Sequence, residues 1–250
     1  MRSLEALSAW QAAIPGPEGF WHALTEAGSG LLYFLLALYL ALARGRPALG
    51  FALAAGWGAV RLLKAAFDLP RPFALAPELA YPPALAGASD PSFPSGHATL
   101  AALVGLYLAR GGPAWGYLLG ALWALFVGLS RVELGVHFPG DVLAGWALGA
   151  LLAFLLPRRT PALWLWAPAL ALGLAFPHLG GPMGAAAGFL FLRKPLGPWR
   201  ALAGVGLLLL LLAFLPREGP GAALVALFAL FATGAVVGWG RWKPSPTSTT

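Results

Sequence analysis

Three short polar segments interrupt a chain that is otherwise largely apolar. They read KAAFDLPRP (64–72), PSGH (94–97) and SRVELGVHFPGD (130–141). Charged and imidazole side chains are costly to bury in apolar surroundings unless partners satisfy them. Their concentration in three places therefore indicates a functional site, and the residue types indicate the chemistry that this site would perform.

The first kind of chemistry is anion binding. Lys64, Arg71 and Arg131 supply three cations, and the arginine guanidinium is suited to two-point contact with phosphate oxygens. Ser95 and Gly96 come at the start of a predicted helix, where free N–H groups and the positive end of the helix dipole favour an anion. We predict that these five residues form a cradle for a tetrahedral phosphate dianion.

The second kind of chemistry is phosphoryl and proton transfer. His97 and His137 can exchange protons near neutral pH, and Asp141, four residues after His137, can hold one imidazole nitrogen so that the other is aimed. We predict that His137 attacks phosphorus, and that His97 protonates the leaving group and then activates water. The cradle would stabilise the charge of the transition state. Because the carboxylates are too few and too scattered for a two-metal clamp, we expect neither a metal nor a cofactor.

Each of these residues alone also has a structural explanation. A lysine near a helix end often extends its charged group to the membrane surface, and a histidine can simply cap a helix. The functional interpretation rests on their co-occurrence at fixed spacings. Arg61 lies one turn before Lys64 on the same helix face, and it is a weaker candidate for contact with a second phosphate.

The spacing of the three segments resembles the signature of the type 2 phosphatidic acid phosphatase superfamily of membrane lipid phosphatases, which is K-x6-RP, PSGH and SR-x5-H-x3-D. The matching residues are Lys64, Arg71–Pro72, Pro94–His97, Ser130–Arg131, His137 and Asp141. The resemblance implies the same roles for these residues, a site without a metal, and an active site that faces away from the cytoplasm. Within the superfamily, the resemblance is to the undecaprenyl-diphosphatase branch or to the sphingosine-phosphate phosphatase-like branch.

The composition places these segments in a membrane protein. Hydrophobic residues make up 59% of the 250 and charged residues only 10%, whereas a soluble domain carries roughly 25% charged residues. Lipid leaves every backbone polar group to be satisfied within its own helix, so we predict an all-α, polytopic transmembrane helical bundle. The chain has no cysteine, which excludes disulfides and thiolate metal sites.

We predict about nine crossings. The apolar stretches are 29–43, 47–67, 97–110, 113–130, 140–156, 162–177, 180–192, 200–215 and 221–239. The Gly-rich stretch 180–192 is the weakest and is either a full crossing, as the following Arg193–Lys194 pair favours, or a re-entrant hairpin. Basic gaps without acids alternate with gaps that hold all the acids. The positive-inside rule therefore predicts that the basic gaps and the C-terminus are cytoplasmic and the three polar segments extracytoplasmic.

This topology predicts three parts of the chain in the cell (inner) membrane. Residues 1–28 form an extracytoplasmic interfacial segment broken at PGPEG, 29–156 the lipid phosphatase core, and 157–250 additional transmembrane helices. We expect a lipid phosphate substrate. We expect no nucleic-acid partner, because the net charge of +7 is divided among small basic gaps rather than collected in one patch.

The predicted function is hydrolysis of a lipid phosphate or diphosphate monoester, such as undecaprenyl diphosphate or phosphatidate. A lipid phosphotransferase would use the same phosphohistidine, so the motifs do not separate the two. A vanadate-dependent peroxidase would share the anion cradle, but its chemistry does not need a membrane. The helices after residue 157 leave room for a fourth interpretation, a lipid transporter or scaffold.

Overall fold

The computed structural model describes residues 1–14, 16–85, 88, 90–159, 162, 165–176, 179–190, 192, 195–212 and 229. These residues form α-helices joined by loops and short 3₁₀ turns, and none of the described residues lies in a β-strand. The helices are α1 (Leu4–Ala13), α2 (Glu18–Ala27), α3 (Gly30–Arg44), α4 (Ala48–Phe67), α5 (Gly96–Ala109), α6 (Ala114–Glu133), α7 (Pro139–Leu155), α8 (Trp166–Ala175), α9 (Gly180–Phe189) and α10 (Pro198–Leu212). The prediction of an all-α fold is confirmed.

The first five predicted apolar stretches each correspond to one helix, α3 to α7. Within the described residues, three segments are long and apolar enough to cross a bilayer: Glu18–Arg44, Ala48–Ala74 and Ala114–Glu133. Shorter apolar helices cover Gly96–Ala109, Pro139–Leu155 and Pro198–Leu210. The protein is therefore a transmembrane helical protein.

The count of nine crossings is not confirmed. Helices α8 and α9 have 10 residues each, which at 1.5 Å per residue makes each about 15 Å long. That is about half the thickness of the hydrocarbon core. The ninth stretch, 221–239, lies outside the described residues except for Ala229, and so does the Arg193–Lys194 pair that favoured a full crossing at 180–192.

Glycines allow α5 to pack closely against both α6 and α7. A Cβ added to Gly105 of α5 would lie 2.6 Å from the carbonyl oxygen of Gly120 in α6, and one added to Gly145 of α7 would lie 2.7 Å from the carbonyl oxygen of Ser95. Small residues at such crossings bring helix backbones together within a membrane. This packing places the first turn of α5, with the PSGH segment, beside the first turn of α7.

The loop between α4 and α5 folds back over the end of α6. It contains 3₁₀ turns at Pro72–Ala74, Pro77–Leu79 and Pro82–Leu85. The amide of Tyr81 donates to the carbonyl of Leu134 (3.2 Å), and that of Ser92 donates to the carbonyl of Leu69 (2.8 Å). The first bond ties the loop to the third polar segment, and the second ties the first polar segment to the stretch that precedes PSGH.

The amino-terminal segment folds as two helices on either side of the predicted break. In α1, Leu7 is fully buried in a cluster with Ala98, Val132, Phe138 and Val142, which belong to α5, α6 and the start of α7. In α2, Trp21 is buried against Leu134 and Val136. The segment therefore packs against the elements that carry the second and third polar segments.

The outer face of α6 is apolar. Its exposed side chains include Trp115, Leu118, Leu119, Leu122 and Phe126. An exposed helical face of this composition suits hydrocarbon rather than water, which agrees with a helix that spans the membrane.

Candidate active site

A cavity of about 190 Å³ lies where the three polar segments meet. It is lined by Gly30, Trp57, Val60, Arg61, Lys64, Arg71, Asp90, Gly96, His97, Leu100, Arg131 and His137. Six of the eight predicted site residues are among them: the three cations, the two histidines and Gly96. The other two, Ser95 and Asp141, are fully buried next to the cavity.

Lys64 and Arg71 lie on one wall of the cavity and are bridged by an acid that the sequence motifs do not include. The Asp90 carboxylate is 3.2 Å from Lys64 Nζ and 2.5 Å from Arg71 Nη2. Lys64 Nζ also donates to the carbonyl of Pro91. Partial burial alone would raise the pKa of Asp90, but the charges of Lys64 and Arg71 outweigh it and hold that pKa below its ordinary value.

Arg131 also lines the cavity, near the end of α6, and is held by the amino-terminal segment. Its Nη1 donates to the hydroxyl of Thr25 in α2 at 2.6 Å. Its Nε is buried and has no hydrogen-bond partner among the described residues. A buried guanidinium N–H beside a cavity needs an acceptor, and a phosphate oxygen would supply one.

The two imidazole nitrogens of His137 have different hydrogen-bond partners. Nε2 lies 3.1 Å from Arg71 Nη1, which is a permanent donor. Nδ1 lies 3.3 Å from Ser92 Oγ. This arrangement fits the tautomer with its proton on Nδ1 and a lone pair on Nε2.

Asp141 supports His137 through Ser92. Its Oδ2 is 3.7 Å from His137 Nδ1, which is too long for a hydrogen bond, but it accepts the Ser92 hydroxyl at 2.5 Å and the Phe138 amide at 3.1 Å. The sequence predicts that Asp141 orients His137. The geometry adds that Ser92 stands between the two.

Burial and charge act on His137 in the same direction. Its side chain is almost completely buried, and the cations Arg71, Lys64 and Arg131 lie near it. Burial first, and these cations second, hold the pKa of His137 well below its ordinary value of 6.5. Both effects favour the neutral imidazole over the imidazolium.

The PSGH segment forms the first turn of α5. Gly96 and His97 line the cavity. Ser95 caps the helix, because its Oγ accepts from the amide of Ala98 and its own amide donates to the carbonyl of Asp141 at 3.0 Å. The predicted contact of Ser95 with phosphate stays a prediction, and its observed contacts tie α5 to α7.

Sequence reasoning missed three residues of this site: Asp90, Ser92 and Arg2. Ser92 lies three residues before Ser95, and Asp90 five, in the stretch that enters PSGH, so proximity to a motif was an available signal for both. Arg2 Nε lies 2.6 Å from Asp141 Oδ1, across 139 positions of the chain. No local pattern indicates that contact.

Fold and site together define a helical membrane protein in which three cations and two histidines surround one cavity. The sequence model of the PAP2 superfamily matches residues 30–165, which is more than half of the chain, and this protein belongs to that family.

Three relatives match shorter stretches of the chain. The undecaprenyl-diphosphatase of Sulfolobus acidocaldarius is 45% identical over 67 residues, covering 27% of this chain and 32% of the relative. Phosphatidylglycerophosphatase B of Bacillus subtilis is 43% identical over 74 residues, covering 26% and 36%. The decaprenylphosphoryl-5-phosphoribose phosphatase of Mycobacterium tuberculosis is 45% identical over 62 residues, covering 25% and 33%. The matched stretches thus span about a third of each relative's length.

One solved structure is similar to this chain. It is the crystal structure of a transmembrane PAP2 type phosphatidylglycerolphosphate phosphatase from Bacillus subtilis, at 28% identity and a TM-score of 0.45, covering 62% of this chain and 86% of that one.

Proposed function

We propose that this protein is a membrane-embedded phosphatase that hydrolyses lipid phosphate or diphosphate monoesters through a phosphohistidine intermediate. The observation that carries the proposal is the convergence on one cavity of His97, His137 and three cations. The names of the relatives, all lipid phosphatases, support the same class of substrate.

The first chemical step would be transfer of the phosphoryl group to His137. Its Nε2 lone pair attacks phosphorus, the N–P bond forms, and the P–O bond to the lipid breaks. His97 gives a proton to the departing oxygen. The developing negative charge on the phosphoryl oxygens is stabilised by Lys64, Arg71 and Arg131, which replace water as its partners.

The second step would return His137 to its starting state. His97, now neutral, removes a proton from a water molecule, whose oxygen attacks phosphorus while the N–P bond breaks. Inorganic phosphate leaves, and the electron pair of that bond returns to Nε2. Ser92 and Asp141 stabilise the partial positive charge that the imidazole carries while it is phosphorylated. No step uses a metal ion, so EDTA should leave turnover unchanged.

The apolar part of the cavity lining suits a lipid. Trp57, Val60 and Leu100 line the same cavity as the charged groups, and they come from α4 and α5. A substrate could keep its acyl or prenyl chain beside these residues while its phosphate reaches the cations. Undecaprenyl diphosphate, phosphatidate and related lipids all have this division into an apolar chain and an anionic end.

We place the site on the extracytoplasmic side of the cell (inner) membrane, with the C-terminus in the cytoplasm. The support is the distribution of charge along the sequence, in which acid-free basic gaps such as Arg44–Arg46 alternate with the gaps that carry the three motifs. In this arrangement 29–156 is the catalytic core, 1–28 lies at the outer surface, and 157–250 adds further transmembrane helices.

A panel assay tests the proposal. Purified protein in detergent micelles is incubated with undecaprenyl diphosphate, phosphatidate, phosphatidylglycerol phosphate and a sphingoid-base phosphate, and released phosphate is measured for the wild type and for His137→Ala. We expect release from at least one lipid by the wild type and none by the variant. Release by His137→Ala at the wild-type rate would refute the proposal.

Two further readouts separate the alternatives. Recovery of the phosphate on an added alcohol or glycolipid, rather than in water, would identify a phosphotransferase. Lipid movement across proteoliposomes that persists in His137→Ala, with no phosphate release by either protein, would identify a transporter.

A further inference from the structure

We propose that Arg2 is a positioning residue of the active site, acting through Asp141 on His137. The proposal rests on the function proposed above and extends it to the amino-terminal segment, which precedes the family-matched residues 30–165. It concerns a contact between a residue outside all three motifs and the buried carboxylate of the third.

The contact is short and charged. Arg2 Nε donates to Asp141 Oδ1 at 2.6 Å, and Arg2 Nη2 donates to the carbonyl of Pro70 at 2.9 Å. The guanidinium also lies 5.0 Å from the centre of the Phe138 ring. Arg2 therefore joins the loop that carries Arg71 to the first turn of α7.

Asp141 uses its two oxygens differently. Oδ2 accepts from Ser92 Oγ and from the Phe138 amide, and so faces His137. Oδ1 is turned away from His137 and accepts from Arg2. The Asp141 side chain is 0% exposed and that of Arg2 25%, so the carboxylate depends on a cation that reaches it from the surface. A buried carboxylate without such a partner is strongly unfavourable.

The amino-terminal segment is fixed over the site by several independent contacts. The Gln11 side-chain amide donates to the carbonyls of Leu79, Val132 and Glu133 at 3.0 to 3.3 Å. The amide of Gly140 donates to the carbonyl of Met1 at 3.1 Å, and Leu7 is fully buried. Arg2 lies just before α1, and these contacts hold its segment beside Asp141.

A second contact links the same segment to the cations. Thr25 of α2 is 1% exposed, and its hydroxyl accepts from Arg131 Nη1 at 2.6 Å. The amino-terminal segment therefore contacts both Asp141, which supports His137 through Ser92, and Arg131, which lines the cavity.

The expected consequence of losing Arg2 follows from charge. Without its cation, the Asp141 carboxylate would attract a proton to His137 more strongly and would favour the imidazolium form, which cannot attack phosphorus. The charged and titratable groups that share the cavity or its supports with His137 are Arg61, Lys64, Arg71, Asp90, His97, Arg131, Asp141 and, through Asp141, Arg2. All but Arg2 lie on the cavity or on α7, so Arg2 is the charge that can be removed without altering the phosphate-binding surface.

The test compares Arg2→Gln, which removes the charge, with Arg2→Lys, which keeps it. The readouts are kcat, KM and the pH dependence of kcat/KM on a lipid phosphate that the wild type hydrolyses. For Arg2→Gln we expect kcat at pH values on the acidic side of the profile to fall about tenfold, because a pKa of His137 raised by about one unit lowers the neutral fraction of the imidazole by that factor there. We expect KM to stay unchanged. We expect the acidic limb of the plot of kcat/KM against pH to move to higher pH by about one unit.

Arg2→Lys should keep the acidic limb of the wild type. The matched control is Ser3→Ala, which removes the hydroxyl that caps α1 by accepting from the Ala6 amide but leaves the charge on Asp141 in place. Thermal unfolding of each variant in detergent reports whether it is folded. If Arg2→Gln fails to fold, Arg2→Met takes its place as the uncharged variant. In either case Arg2→Lys, which keeps the charge, should restore the kcat and the pH dependence of the wild type.

An acidic limb that is unmoved in a folded, uncharged Arg2 variant would overturn the inference and leave the proposed function intact. So would a limb that moves equally in Ser3→Ala. Failure of the wild type to hydrolyse any lipid phosphate would instead overturn the proposed function itself.

Discussion

The two sides of His137 are built in contrasting ways. Its front, defined here as Lys64, Arg71, Arg131 and Asp90, faces the cavity, and the acid that neutralises two of these cations is 30% exposed. Its rear is defined as Ser92, Asp141 and Arg2. Ser92 and Arg2 both contact the carboxylate of Asp141, whose side chain is 0% exposed. If the proposed function holds, a partner at the front would be exchanged for a phosphoryl group, whereas the partners at the rear are fixed by burial. We therefore expect the front to bind the substrate and the rear to orient the nucleophile.

The largest effect is expected at the rear, from Asp141→Asn. An amide cannot hold the His137 tautomer as a carboxylate does, and such replacements lower kcat by about 10³- to 10⁴-fold. We expect kcat to fall on that scale while KM changes little, measured by phosphate release from the best lipid. Asp68→Asn is the matched control, because Asp68 is an exposed acid at the end of α4. A fall confined to KM would show that the rear also binds phosphate, and the contrast would be lost.

A smaller effect is expected at the front, from Arg131→Lys. Lysine keeps the charge but loses the buried Nε–H that has no partner among the described residues and the fork that can bind two oxygens. We expect kcat/KM to fall by about 10²-fold, which is the size of one lost donor to a transition-state oxyanion. Arg159→Lys, on the exposed surface after α7, should match the wild type. Full activity in Arg131→Lys would mean that Arg131 serves the front only as a point charge.

The smallest effect, and of opposite sign, is expected from Asp90→Asn. The carboxylate neutralises Lys64 and Arg71, and a phosphate must compete with it. Because partly exposed ion pairs contribute at most about 1 kcal/mol, we expect KM and the inhibition constant of vanadate to fall by roughly three- to fivefold. A rise in KM would show that Asp90 positions the two cations instead of competing with the substrate.

The three cations of the front were predictable from the sequence because they lie in short motifs with fixed spacing, whereas Asp90 lies outside those motifs and was missed. Lys64, Arg71, His97, Arg131 and His137 all line the cavity, and the helices that carry them follow from the apolar runs. The position of Ser92 between Asp141 and His137 was not predictable. Whether Asp141 contacts His137 directly depends on differences of less than 1 Å in the distance between their side chains. The number of crossings was also uncertain from hydropathy, since α8 and α9 are apolar along their length yet only 10 residues long.

The amino-terminal segment shows the other limit of the sequence. Its composition predicts an interfacial helix with a break, and the two helices confirm the break. The contacts of Arg2 and Thr25 with the third motif arise only when α1 and α2 pack against α6 and α7. Such long-range contacts have no periodicity or spacing that a single sequence could reveal.

The measurement that tests the central claim most directly is a rapid-quench experiment with a ³²P-labelled lipid phosphate, followed by peptide mapping. If the three polar segments form one site in which His137 receives the phosphoryl group, the wild type should carry label that is stable to base, labile to acid and located on His137. His137→Ala should carry none. Label on another residue, or hydrolysis by the wild type with no labelled protein at any time before product appears, would contradict the account.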